Sequence, residues 1–326
     1  MTHSIAKLAA TTSLAVGLTV SGGVAAQDQA PLQVLATVGM IGDVAQQVAG
    51  DCAEVDVLLG PGTDPHYYEA TPRAVRALES AELIFYVHPA LEERMARVLE
   101  NFSRRIPTVS LVDATYDQGE LLEEEPGVID PHLWMDVARW SQIAPVIADA
   151  IAEQRPGCLD DLEANVVAYQ AELSALHEWV EASIGSIPES QRMLVTAHDA
   201  FYYYGDAYNI TASEAIEGIS TEGEASIGDI RSVARFVVDN QVPAVFVETT
   251  INPRTIESMV AEANSMGHDV RIGGELYSDA LGDADTAEGT YIGMIRSNTE
   301  QITHALGGTV AEWPSELEGW AQTWNK

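Results

Sequence analysis

The chain has 326 residues, 46% of them hydrophobic and 20% charged, which is the composition of a globular protein long enough for two domains of ordinary size. Its 16 basic residues face 50 acidic ones, and the formal net charge of -34 argues against nucleic acid and anionic lipid as partners. Acidity of this kind reads first as a solvated surface adapted to high salt and is not in itself a sign of metal binding.

Residues 1–26 carry Lys7, an uncharged run from Leu8 to Val20, and small residues ending in Val24-Ala25-Ala26 before Gln27. This layout predicts a signal peptide whose apolar core is too short to span a membrane. The chain from Gln27 is therefore expected to be exported and soluble. With no cysteine at the cleavage point, a lipid anchor there is not expected, and a periplasm is the simpler home. Cys52 and Cys158 are the only cysteines, so an oxidising compartment permits one bond between them, the alternative being two separate buried thiols.

From there strand-like and helix-like stretches alternate. Residues 33–38 read as a strand, 41–48 as a helix and 54–59 as a strand, after which Gly60-Pro61-Gly62-Thr63 breaks the chain. Asp64-Pro65-His66-Tyr67-Tyr68-Glu69 follows. Thr71-Pro72 is a helix cap with proline at the first helical position, opening a helix to about Leu78. Residues 81–87 read as a strand, 91–102 as a helix and 107–112 as a strand, and an acidic loop over 113–130 then delivers Asp130-Pro131-His132-Leu133-Trp134-Met135-Asp136. This alternation predicts a parallel sheet with crossover helices, whose ligands bind beyond the carboxyl ends of the strands.

The two Asp-Pro-His segments carry the strongest signal in this half. In each, proline stiffens the chain before the histidine, aromatics follow, and an acid closes the segment, so both imidazoles are presented from ordered loops. An Asp-Pro turn beside a surface histidine is common on its own. Recurrence with the same flanking aromatics favours a shared metal site.

A helical stretch over 138–153 is interrupted by Pro145 and ended by Arg155-Pro156-Gly157. Residues 159–184 then repeat apolar positions every three or four residues, and at about 1.5 Å per residue this helix would span about 39 Å, the size of a whole domain. It reads as a strut between two lobes, the alternative being a helix within one larger core. The second half repeats the alternation, with strands at 193–196, 210–216, 244–248 and 270–272 and helices at 199–204, 227–238, 253–265 and 286–305. His198 directly follows the first of these strands and Asp279 follows the last. The expected division is 1–26 signal peptide, 27–155 first metal-binding lobe, 156–186 connecting helix and 187–326 second metal-binding lobe. Trp313, Trp320 and Trp324 are expected to pack on the surface of the second lobe.

The segments TDPHYYEATPRAV, DPHLWMD, LVTAHDAFYYYG, EGISTEGEAS and IGGELYSDALGDADTAEGTYIGM together resemble the TroA-like zinc- and manganese-binding receptors of bacterial ABC importers. The likeness runs over nearly the whole chain after the signal peptide. It implies an α/β fold of two lobes, each a mainly parallel sheet with flanking helices, joined by one long rigid helix. It also implies one Zn2+ or Mn2+ ion held between the lobes by His66, His132, His198 and Asp279, and an ABC transporter permease as partner of a monomeric receptor. The chain departs from zinc-specialised members in lacking a His-rich loop, and from typical manganese members in having His198 where many have glutamate.

Three imidazoles and a carboxylate fit tetrahedral zinc, or manganese if Asp279 binds through both oxygens. The same donors suit a zinc-dependent hydrolase, but there is no His-Glu-x-x-His, second metal cluster or Gly-x-Ser-x-Gly elbow, and an adhesion protein would need repeats that are absent. His88 beside Pro89 is expected to be a bystander, as are His177, His268 and His304. Because imidazole binds metal only when neutral, the sequence predicts affinity falling on acidification by up to about three powers of ten per pH unit.

Overall fold

The computed structural model describes Met1, residues 30–221, Gly223 and residues 225–324, the side chain of residue 125 excepted. Apart from Met1, the expected signal peptide lies outside the described residues. Residues 31–324 belong to one compact unit. No helix among the described residues is long and apolar enough to cross a membrane.

Strands β1 (Leu32–Ala36), β2 (Ala53–Val57), β3 (Leu83–Tyr86) and β4 (Thr108–Ser110) form a wholly parallel sheet in the order β2-β1-β3-β4. Between them run helices α1 (Gly39–Ala49), α2 (Pro72–Ser80) and α3 (Ala96–Ser103). Thr71 caps α2 by accepting the Ala74 N–H at 3.2 Å, with Pro72 at the first helical position as its sequence predicts. After β4 come the short helix α4 (Leu111–Thr115) and a hairpin of β5 (Glu123–Glu125) and β6 (Val128–Ile129), where the sequence suggests only an acidic loop. Gly127 makes the hairpin turn at φ 86.

Helix α5 (Val137–Trp140) and helix α6 (Ile143–Gln154) replace the single stretch expected over 138–153. Their break falls at Ser141-Gln142 and not at Pro145. That proline is the third residue of α6, a position whose missing N–H has no helical acceptor to lose. Helix α7 (Leu159–Gly185) is 27 residues long, with Asp160 and Asp161 favourably placed in its first turn.

The second half holds two parallel pairs: β7 (Met193–Thr196) with β8 (Ala212–Ala215), and β9 (Ala244–Glu248) with β10 (Arg271–Leu276). Helices α8 (Tyr202–Tyr208), α9 (Ile227–Asp239), α10 (Arg254–Ser265), α11 (Tyr291–Ala305) and α12 (Glu318–Trp324) complete it. Strand β10 continues through Gly273-Gly274, a pair that as sequence reads as a strand end, with its pairing to β9 shifting register at Gly273. A Cβ at Gly273 would lie 2.7 Å from the Ala305 side chain, so the glycines let α11 lie directly on the strand. In return α11 supplies amides that act as a partner edge: Gln301 bonds Glu275 N–H and C=O at 3.0 and 2.7 Å, and Asn298 does the same for Tyr277 at 2.8 and 2.7 Å.

Two outer cores belong to one half each, around Leu78, Ile84 and Leu99 in the first and Val195, Val237 and Met259 in the second. The largest core is shared: α1 and α6 of the first half meet α8 and α11 of the second along the buried face of α7. Trp313 packs edge-on against Trp179 of α7, with ring centroids 4.9 Å apart, and Trp320 donates to Thr290 Oγ1 at 3.0 Å. Cys52 and Cys158 form a disulfide with Cα atoms 6.2 Å apart.

Candidate metal centre

The repeated Asp-Pro-His segments fold by the same local bond. Asp64 Oδ1 accepts the His66 N–H at 2.8 Å, and Asp130 Oδ1 accepts the His132 N–H at 2.9 Å. With proline fixing φ between them, each aspartate side chain closes a turn on its own backbone and throws the histidine to one side. The closing acids have lesser tasks. Asp136 caps α5 by accepting the Ala138 and Arg139 N–H groups at 3.0 and 3.1 Å, and Glu69 meets Arg94 at 3.4 Å on the surface.

His198 stands two residues beyond β7. Glu248, the last residue of β9, accepts the Ala197 and His198 N–H groups through Oε1 at 2.8 and 3.0 Å, while Oε2 lies 2.6 Å from His198 Nδ1. Asp279 follows β10 by three residues. Its approach is fixed by Trp134, whose Nε1 donates across the molecule to the Ser278 carbonyl at 2.9 Å.

These loops bring all four expected residues together. One donor atom from each of His66, His132, His198 and Asp279 lies within 4.8 Å of the others. His66 Nε2 is 3.4 Å from His132 Nε2, and Asp279 Oδ1 is 3.4 Å from His132 Nε2. Asp279 Oδ2 lies 3.3 Å from His198 Nε2 and 3.7 Å from His66 Nε2. Four donors at about 2.0–2.1 Å from a tetrahedral ion would sit about 3.3 Å apart, so the separations suit a shared metal, and both Asp279 oxygens face its place. Exposure is 2% at most for each of the four. Among the described residues neither Asp279 oxygen has a hydrogen-bond donor in suitable direction, which makes the imidazole approaches charge contacts and leaves a buried carboxylate that suits a cation.

Electrostatics split the histidines. Burial pushes His66 down to about 3, against the pull of Asp279. Burial also opposes the charged form of His132, but Asp130, 2.6 Å from Nδ1, and Asp279 outweigh it and hold the ring up at about 9. For His198 burial is likewise outweighed, by Glu248 and Asp279, and its value lies well above the usual range. Asp279, which burial alone would raise, is held well below the ordinary carboxylate range by His198 and His132. In the neutral His132 ring an Nδ1–H given to Asp130 leaves the Nε2 lone pair turned inward, the tautomer that a metal needs, and Glu248 stands in the same place behind His198.

The bystander histidines stay outside. His88 Nε2 is 3.3 Å from Asp113, His177 Nδ1 meets the Tyr208 hydroxyl at 3.1 Å, and His268 Nε2 donates to the Val242 carbonyl at 2.7 Å. Sequence reasoning missed Glu248. The available signal was a carboxylate ending the apolar run Ala-Val-Phe-Val, where a buried parallel strand opens towards a ligand crevice.

Comparison with known proteins places the chain among metal-binding proteins. Zinc-binding protein TroA of Treponema pallidum (strain Nichols) is 38% identical over 282 residues, covering 86% of this chain and 91% of its own. Manganese-binding lipoprotein MntA of Bacillus subtilis (strain 168) is 36% identical over 286 residues, covering 88% and 92%. Among solved structures, the periplasmic zinc-binding protein TroA from Treponema pallidum matches with a TM-score of 0.82 at 36% identity, over 85% of this chain and 99% of that one. Fe(III)-bound YtgA from Chlamydia trachomatis matches with a TM-score of 0.77 at 30% identity, over 86% and 100%. The profile of ZnuA, described as zinc-uptake complex component A, periplasmic, spans residues 34–305, from within β1 to the last residue of α11, and so takes in all four clustered residues. The two-lobed α/β architecture and the family profile thus agree over the same stretch of sequence, and the chain belongs to the ZnuA family of periplasmic zinc-uptake components.

Proposed function

We propose that this protein captures a divalent transition metal, Zn2+ or Mn2+, in the periplasm and hands it as a monomer to the permease of an ABC importer. His66, His132, His198 and Asp279 are its ligands. In this reading the lobes divide at 155/156 and 186/187, with α7 as the connection, so the first lobe supplies two histidines and the second the remaining histidine and the carboxylate. Bound metal ties the lobes together and marks the loaded state for the transporter. The observation that carries the reading is the buried cluster of three imidazole nitrogens and one unpartnered carboxylate drawn from four separate loops. The protein performs no reaction, since donors this enclosed leave no face for a substrate.

Metal-dependent thermal stabilisation tests the reading. A ligand at about 100 times its dissociation constant stabilises the folded state by about 2.7 kcal/mol. Wild-type protein should show such a rise in Tm with Zn2+ or Mn2+, and His132→Ala should lose most of it, while His88→Ala keeps it. An undiminished rise in His132→Ala would sink the ligand assignment.

A further inference from the structure

Asp64 and Asp130 stand at the same place in the two repeated segments, and each turns its histidine through Oδ1. Beyond that bond they differ. Asp130 also meets the Nδ1 of its own His132 at 2.6 Å, so that ring is fixed from within its own loop. Asp64 makes no such contact with the His66 ring; its Oδ2 accepts the Thr221 hydroxyl at 2.6 Å, from a loop 157 residues further along the chain between β8 and α9. Thr221 is 5% exposed, and among the described residues His66 has no carboxylate close to its ring nitrogens except Asp279 itself. The loop carrying His66 runs against the second half elsewhere too, since a Cβ on Gly62 would lie 3.7 Å from the Thr249 carbonyl oxygen.

His198 and His132 are therefore each held by a carboxylate behind the ring, whereas His66 is held at one remove, through Asp64, by a hydroxyl from the other half. A hydroxyl-to-carboxylate bond this short and this sheltered belongs to the strong, charge-assisted kind. We propose that Thr221 is a positioning residue for His66 and that the Thr221–Asp64 bond is a latch governing metal release: while it holds, the fourth donor stays on the ion, and when it parts, the loop carrying His66 is free to leave. The inference rests on the reading of His66 as a ligand.

Co2+, which takes zinc-type sites and has a visible spectrum sensitive to coordination number, is the probe. Thr221→Val keeps the shape and removes the hydroxyl; Thr221→Ser keeps the hydroxyl. Relative to wild type, Thr221→Val should release Co2+ to a chelator about tenfold faster, the scale of one lost hydrogen bond to a charged group, and its spectrum should move towards that of His66→Ala. Thr221→Ser should restore both rate and spectrum to within about twofold of wild type, which loss of packing would not do. Should Thr221→Val precipitate, Thr221→Ala takes its place in the same comparison. Wild-type rate and spectrum in the hydroxyl-less variant, or equal effects in the Val and Ser variants, would overturn the latch. Absence of any Co2+ band in wild type would instead overturn the capture reading on which it rests.

Discussion

At the scale of single residues, the centre divides three histidines into two kinds, and pH exposes the division. His132 is held up at about 9 and His198 well above its usual range, so in metal-free protein at pH 7 both carry protons that a metal must displace. His66, pushed down to about 3, carries none. The limit of three powers of ten per pH unit expected from the sequence therefore falls to about two, over the window between about 3 and about 9, and binding at pH 7 should release about two protons. Calorimetry in buffers of different ionisation enthalpy counts them; three released protons, or none, would contradict the division. The metal-free fold follows the same signs. A histidine raised in the folded state, such as His132, contributes stability that is fully present below about 6.5 and lost as pH rises through about 9, whereas depressed His66 costs stability as pH falls from about 6.5 towards about 3. The four clustered residues were legible because their chemistry is written in short motifs. Asp130, though within a motif, gave no sign that it would back its own ring, and Glu248 lies 50 residues from the backbone N–H of His198 to which it bonds.

Elements were legible wherever hydrophobic period and capping agreed. Strands β7 and β9 end where the sequence places them, and α7 differs from its expected span by one residue. Less visible were features settled by close approach between elements. Nothing in Gly273-Gly274 announces that α11 will lie against it, and the acidic stretch that forms the β5–β6 hairpin has no alternating apolar face. The glycines after Asp279 show the same cause. A Cβ on Gly293, in the first turn of α11, would collide with the Ala287 carbonyl oxygen, and one on Gly289 with that of Asp283, contacts with backbone that no side-chain rotation relieves. Gly293→Ala should therefore displace the 282–289 loop, cost about 1–3 kcal/mol in urea unfolding and weaken metal binding, because that loop follows Asp279 directly. Thr71→Ala, which removes the cap of α2, should cost about 1 kcal/mol with binding unchanged. Equal binding by both variants would mean that the glycine packing does not hold the carboxylate in place.

For the whole molecule, charge and core act against each other. A formal charge of -34 opposes compaction, and salt relieves it, since the screening length shortens from about 10 Å at 0.1 M to about 3 Å at 1 M. The melting temperature of the metal-free protein should rise by several degrees between 0.1 and 1 M NaCl, and a flat response would show that the acids are already spaced beyond mutual reach. Parallel α/β units and one long helix were legible in the sequence; the core that α7 shares with both halves was not, because periodicity marks a buried face without naming its partner. The disulfide adds something that neither pattern nor packing supplies. Cys52 precedes β2 and Cys158 precedes α7, so the bond turns the intervening chain into a covalent ring with a sequence separation of 106. His66 and His132 both sit on that ring, and His198 and Asp279 lie beyond its closure. One cut in the backbone between the cysteines would open the ring without releasing either histidine from the rest of the protein, so two of the four proposed ligands keep a second covalent route to the remainder that the other two do not have.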